Sequence, residues 1–209
     1  MTRIHRMRWT LALLVIAPWL PLRLAAQDTL LARRAKGSLT APVTVYEMGD
    51  FQCPACKLFF DSTYPAINKE YIATGKVRWI FINFPLTSIH PNAEAAAEFA
   101  MCAAKQGKFW AAHDRLYNTQ QTWTPLKDPG QFFLAQTTPL GLRRDQMVSC
   151  LQSGTARAEV RGDATGAARA GATSTPTFYI EGGLMAGAYP IGAFRQVFDS
   201  ILKVKAAKK

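Results

Sequence analysis

Two cysteines flanking a proline and an alanine, Cys53-Pro54-Ala55-Cys56, are the residues of this chain best suited to chemistry. In a Cys-x-x-Cys the two sulfurs lie one helical turn apart and can close and reopen a disulfide. Pro54 fits the first position of a helix, where a missing N–H costs nothing. The segment just before it, Val43-Thr44-Val45-Tyr46-Glu47-Met48, is β-rich, so the pair sits at a strand-to-helix junction. There the first sulfur lies over unpaired amides at the positive end of a helix dipole, and its pKa should fall below about 8.5. Cys53 is therefore read as the exposed nucleophile and Cys56 as the buried resolving thiol. Two blander readings compete. A zinc ribbon needs a second close pair, whereas Cys102 and Cys150 are 48 residues apart. A purely structural bridge between near neighbours restrains little unfolded chain and stabilises weakly.

Other residues fit redox work. Thr175-Pro176 opens a later strand, where a cis proline can press its backbone against a disulfide. Glu47 stands in a strand that is otherwise apolar. Buried there, it would have a raised pKa and could take the proton from Cys56; on a half-exposed strand it would simply face solvent. His90, just before Pro91, is read as a capping or surface histidine, with the rim of the active site as its alternative. His113 is read as a packing residue, and Trp79, Trp110 and Trp123 as core and rim aromatics.

The elements that position these groups follow from periodicity. Cys56, Phe59, Phe60, Tyr64, Ile67 and Tyr71 recur at helical spacing, with a kink expected at Pro65 and an end at Gly75. Val77 to Phe84 is a nearly continuous apolar run, as expected of a strand buried on both faces and parallel to the first. Residues 88–165 read as all-helical. Asn92 is a candidate cap, Ala93, Ala96, Ala97, Ala100 and Ala104 form a narrow face, Asn118 to Pro139 is turn-rich, and helical spacing resumes at Leu142. Thr177 to Ile180 reads as a strand, Glu181-Gly182-Gly183 as a hairpin turn, and Leu184 to Ala188 as its partner. Ile191, Phe194, Val197, Phe198 and Ile201 line a last helix. Asp28 to Thr40 shows no periodicity and reads as a polar leader. The order is βαβ, a helical block, then ββα: an α/β fold.

The run from Glu47 to Cys56 resembles the active-site segment of DsbA-like thiol–disulfide oxidoreductases, thioredoxin folds with a helical insertion. The likeness continues in Phe84-Pro85-Leu86, in Cys102 through Trp110, in Gly171 through Ile180, and in Gly187-Ala188-Tyr189-Pro190 with Phe194. It implies a thioredoxin fold split into residues 27–87 and 166–209 around an insertion at 88–165. It also implies a cis Pro176, a buried acid at Glu47, and substrate peptide pairing with the backbone at Thr175. Cys102 and Cys150 resemble the second, structural disulfide of some members, with a regulatory or relay role as the alternative. In one respect the chain departs from the pattern. The strongest oxidants of the family carry Pro-His between the cysteines, whereas here Pro54 is followed by Ala55, which has no imidazole to hold the thiolate.

Charge completes the picture. The formal net charge is +11, but Arg3, Arg6, Arg8 and Arg23 lie within residues 1–26, beside an apolar run from Trp9 to Leu22 and small residues at Ala25 and Ala26. That is the layout of a secretory signal peptide, cut after Ala26, with an uncleaved anchor as the rival. Lys203, Lys205, Lys208 and Lys209 carry four more charges in a tail expected to fray, leaving a body near +3. No aromatic–basic interleaving suggests a nucleic-acid site. The 49% hydrophobic content excludes a disordered, collagen-like or coiled-coil chain. The sequence reading is thus a periplasmic or other extracytoplasmic protein that uses its own disulfide and neither metal nor cofactor. Its expected partners are cysteine-containing exported proteins and a redox protein that resets the Cys-x-x-Cys. The stretch between residue 26 and the first strand is too short for the dimerisation domain of V-shaped isomerases, which favours a monomeric oxidase. A reductase, an isomerase, or a non-catalytic metal-binding or scaffold module is the alternative.

Overall fold

The computed structural model of the protein describes residues 30–208, so the proposed signal segment lies outside the described residues. A five-stranded sheet holds the strands in the order β1-β3-β2-β4-β5. They are β1 (Ala35–Lys36), β2 (Val43–Gly49), β3 (Val77–Asn83), β4 (Thr177–Ile180) and β5 (Gly183–Ala186). The central pair β2 and β3 is parallel, and the other pairings are antiparallel.

Register explains which side chains meet. Val45 faces Trp79 and Ile180, and Glu47 faces Phe81 and Phe178. Because successive strand residues alternate faces, Val43, Val45 and Glu47 all point to the same side of the sheet. Phe59, Ile67, Phe194 and Phe198 cover that side, and all four are 1% exposed or less. The Phe59 and Phe178 rings lie 4.7 Å apart, those of Phe178 and Phe194 5.0 Å. Glu47 is therefore a buried carboxylate in a layer of aromatic and aliphatic side chains.

Helix α1 (Pro54–Ser62) ends at Thr63, and α2 (Tyr64–Ile67) restarts with Pro65 in its first turn, which is the kink expected there. A wide π-type turn, Asn68–Ile72, follows before β3. Between β3 and β4 lie α3 (Ala93–Lys105), α4 (Phe109–Asn118), α5 (Gln120–Trp123), α6 (Gly130–Ala135), α7 (Arg144–Gln152) and α8 (Thr155–Arg169). Helix α3 is buried on nearly every side. Its alanines at 93, 96, 97, 100, 103 and 104 are at most 2% exposed, small enough to let neighbouring helices approach closely. Cys102 of α3 is joined to Cys150 of α7 by a disulfide, with Cα atoms 5.8 Å apart. The last helix, α9 (Ile191–Ala206), buries Phe194 and Phe198 under the sheet.

Several elements differ from the sequence expectation. Residues 30–40 include a helical turn and strand β1, not just a leader. Two residues are too few to show a period; Arg34 holds them in place, its guanidinium paired with Asp163 and its carbonyl accepting the Phe81 N–H at 3.1 Å. The 118–139 stretch carries short helices α5 and α6, and α7 begins at Arg144 and not at Leu142. Asn92 stands at the cap position of α3, but its side chain donates to the Thr124 and Leu126 carbonyls at 3.2 and 2.8 Å instead. The lysine tail is helical through Ala206, where Lys205 Nζ donates to the Pro42 carbonyl and to Glu181, each at 2.6 Å.

The Cys102–Cys150 bridge closes a 48-residue separation, so it removes much of the unfolded chain's freedom. Replacing both cysteines by alanine is expected to lower the unfolding free energy by about 2 to 4 kcal/mol. Urea denaturation with an unchanged midpoint would show that the bridge contributes no net stability.

Candidate active site

Cys53 is the N-cap residue of α1, with extended backbone angles (φ −66°, ψ 124°), and Pro54 opens the helix. Its own N–H donates to the Asp50 carbonyl at 3.2 Å, which makes the turn that aims its sulfur along the helix start. The Cys56 thiol and the backbone N–H groups of Ala55 and Cys56 hydrogen-bond to that sulfur. These donors stabilise the thiolate and hold the Cys53 pKa down to about 5, from an ordinary 9.0, despite the opposing effect of burial. Cys56 behaves oppositely. It is fully buried, and burial together with the neighbouring Cys53 sulfur raises its pKa well above the ordinary value. One sulfur is an anion near neutrality while the other remains a proton donor to it.

The expected exposed position of Cys53 is corrected by the structure: the residue is only 6% exposed. Thr175 covers it from the side. The Cys53 thiol lies 3.4 Å from the Thr175 carbonyl, the Thr175–Pro176 peptide is cis, and Thr175 is itself 7% exposed. The buried Thr175 hydroxyl has no partner, yet its contact with Cys53 lowers that thiol's pKa. The thiolate is the acceptor it lacks. Sequence reading placed only the Thr175 backbone here.

Glu47 is 2% exposed and accepts the Trp79 indole N–H at 2.7 Å. Burial raises its pKa to about 7; the Trp79 bond and the positive charge of Lys36 pull the other way. Lys36 itself lies over the Trp110 ring at 4.3 Å, a cation–π contact on strand β1. Neither Lys36 nor Trp79 was legible as a site residue, since Trp79 looks like ordinary core and β1 has no sequence signature. Gln120 was also missed. Buried on α5, it donates its amide to the carbonyls of Phe51 at 2.7 Å and Cys53 at 3.1 Å, fastening the redox turn from the insertion side.

His90 takes the alternative position, near the active site: its Nδ1 lies 2.7 Å from Asp50 Oδ2. His113 is a packing residue, 2% exposed, with its ring edge-on to Phe81 at 5.2 Å and its pKa lowered by burial. Trp79 and Trp123 are core, and Trp110 is partly exposed. Pro54 is exposed and Ala55 partly so, leaving the two residues between the sulfurs at the surface.

Two sulfurs with oppositely displaced acidities, one turn apart, are equipped to break one disulfide while making another. Fold and site together define the class of DsbA-like thiol–disulfide oxidoreductases, thioredoxin folds that carry a helical insertion. A family model described as Thioredoxin matches residues 30–200, and the chain belongs to that family. It is 30% identical over 154 residues to the probable disulfide bond formation protein D of Bacillus anthracis, covering 73% of this chain and 71% of that one. It is 34% identical over 165 residues to the Na(+)/H(+) antiporter NhaA 1 of Salinispora arenicola. That match covers 79% of this chain but 24% of the antiporter, so the chain spans about a quarter of that relative's length. Among solved structures, alpha-DsbA1 of Wolbachia pipientis superposes with a TM-score of 0.74 at 24% identity, covering 84% of this chain and 93% of that one, a likeness of fold.

Relative to a thiol of ordinary acidity, a depressed Cys53 pKa stabilises the reduced protein, and this gain grows as pH rises. The gain is complete above the ordinary value of 9.0 and is lost as pH falls through about 5. Thiolate absorbance at 240 nm should therefore titrate near pH 5 in the reduced protein. Thr175→Val, which removes the hydroxyl, should move that midpoint upward by about one unit or less. A midpoint unchanged by this variant would mean that the hydroxyl makes no bond to the thiolate.

Proposed function

We propose that the protein is an extracytoplasmic oxidase that forms disulfides in exported substrate proteins through Cys53 and Cys56. The observation that carries this reading is the Cys53–Cys56 pair at the start of α1, with Cys53 beside the Thr175 carbonyl of the cis Thr175–Pro176 peptide and Cys56 fully buried, an arrangement that lowers the Cys53 pKa to about 5 and raises that of Cys56. In the forward direction a substrate thiolate attacks Cys53 Sγ of the Cys53–Cys56 disulfide, and Cys56 leaves as a thiolate. A proton is then needed at Cys56, and Glu47, with a pKa near 7, is the buried group suited to hold and return it. A second substrate thiolate attacks the substrate sulfur of the mixed disulfide, and Cys53 leaves. Two electrons pass from the substrate dithiol to the enzyme; of its two protons one ends on Cys56 and the other goes to solvent, because Cys53 stays a thiolate near neutrality. The Thr175 backbone, beside Cys53, is the surface on which an extended substrate would pair.

The low Cys53 pKa also favours the oxidising direction, because a stabilised dithiol makes its disulfide the better electron acceptor. Relative to thioredoxin, whose cysteine titrates near pH ~7 with a potential of about −270 mV, a pKa of about 5 raises the potential at pH 7 by roughly 50 mV. The export signal read in residues 1–26 supports an extracytoplasmic location. Within the described residues no helix is long and apolar enough to cross a membrane. Substrates are taken to be cysteine-containing exported proteins, with a separate redox protein reoxidising the pair. The chain is taken to work as a monomer, without metal or cofactor.

Oxidation of a reduced, unfolded substrate protein by the disulfide form tests the reading. Cys53→Ala should abolish turnover, and Cys56→Ala should accumulate the mixed disulfide through Cys53. Glu47→Gln should slow the Cys56 step several-fold while leaving the Cys53 midpoint near 5. A measured potential at or below about −270 mV would reverse the direction and make the protein a reductase. Stoichiometric zinc on the dithiol, without turnover, would make it a binding module.

A further inference from the structure

Beside the sulfur pair lies a buried carboxylate for which the exchange chemistry has no use. Asp50, three residues before Cys53, is 1% exposed. Its Oδ1 accepts the Gln52 N–H at 2.7 Å, and its Oδ2 accepts the Leu86 N–H at 2.9 Å and meets His90 Nδ1 at 2.7 Å. Its backbone carbonyl takes the Cys53 N–H and the Tyr117 hydroxyl at 3.2 and 3.4 Å. His90 is fixed in turn: its N–H donates to the Leu86 carbonyl at 2.9 Å, and its carbonyl accepts the Ala93 N–H at 3.1 Å, where α3 begins. A parallel tie runs from the Asn92 N–H to Gln52 Oε1 at 2.7 Å. Residues 86–92, the entry to the insertion, are thus stitched to residues 50–52, the entry to the redox helix.

We propose that His90 is a positioning residue for the redox centre: through Asp50 it holds the 50–53 turn so that the Ala55 and Cys56 amides stay aimed at the Cys53 sulfur. The proposal rests on the thiol–disulfide reading above. Two physical effects act in the same direction. Without His90 the buried carboxylate loses one of three hydrogen bonds and the turn it anchors loosens, lengthening the bonds to sulfur. The Asp50 oxygen left unpaired, in the same buried surroundings as both sulfurs, also favours rearrangement of the turn. Tyr117 marks those shared surroundings. Burial raises its pKa well above the ordinary value, and Cys56, Glu47, Asp50 and Cys53 add to the rise. Ala55 supplies no imidazole between the cysteines; this chain places one behind the turn, where it acts through a carboxylate.

The test is the Cys53 titration in the wild type, His90→Ala and His90→Asn, followed by thiolate absorbance, with thermal melts of the same samples. His90→Ala should raise the midpoint by about one pH unit, leaving roughly tenfold less thiolate at pH values below it. His90→Asn can place an amide N–H where Nδ1 sits, and should recover most of the shift. A lower melting temperature in His90→Ala with an unmoved midpoint would overturn the proposal and leave His90 a role in the fold alone. Wild-type hydrogen exchange gives a reading that needs no variant. The Leu86 and Gln52 amides should be as protected as strand amides, and exchange at exposed-loop rates would overturn the clamp. A wild-type midpoint near 8.5 would overturn the exchange reading itself, and with it any role in positioning a thiolate.

Discussion

A negative charge on Cys53 is the condition around which this molecule is organised. An anion that is 6% exposed is costly unless donors surround it, and the start of a helix offers amides that have no other partner. Pro54 fixes where the helix begins, so the Ala55 and Cys56 amides fall on the sulfur. Cys56 adds its own proton, which it can do because complete burial keeps it a thiol. The two acidities are therefore one arrangement viewed from its two ends. The same geometry that lowers the pKa of the first sulfur raises that of the second.

The buried polar groups around that charge find partners in a layer that is otherwise built largely of aromatic rings. Glu47 is held by Trp79, Asp50 by two amides and His90, and the Phe51 and Cys53 carbonyls by Gln120. Most of these partners come from elements distant in the chain. The insertion contributes Gln120 directly and His90 at its entrance. It thus helps to build the surroundings of the sulfur pair as well as covering them, and the Cys102–Cys150 bridge binds two of its helices together.

Much of this was legible in the residues alone. The strand before Cys53, Pro54 at the helix start, the Pro65 break and the parallel β2–β3 pair all follow from local chemistry and periodicity. The resemblance to DsbA-like proteins pointed to the Cys102–Cys150 pairing and to the cis peptide before Pro176, and both are present. What escaped was either too short to have a period, such as β1, or polar residues with ordinary local roles. Asn92 sits at a cap position, yet its side chain bonds to carbonyls more than thirty residues away. The lysine-rich end looked free, but Lys205 finds Glu181 and the Pro42 carbonyl across a folded surface.

The amino-acid order alone points to the two sulfurs, because a Cys-x-x-Cys at a strand–helix junction creates its own field from the nearest few amides. It does not settle how reactive they are. Burial of Cys56, the pKa of Glu47 and the hold of His90 on Asp50 depend on groups brought from residues 36, 79, 86–92, 117, 120 and 175. Desolvation and hydrogen bonding act through space. Whether Glu47 faced solvent or core therefore stayed open on the page of letters, and closed when β2 took its register between β3 and β4.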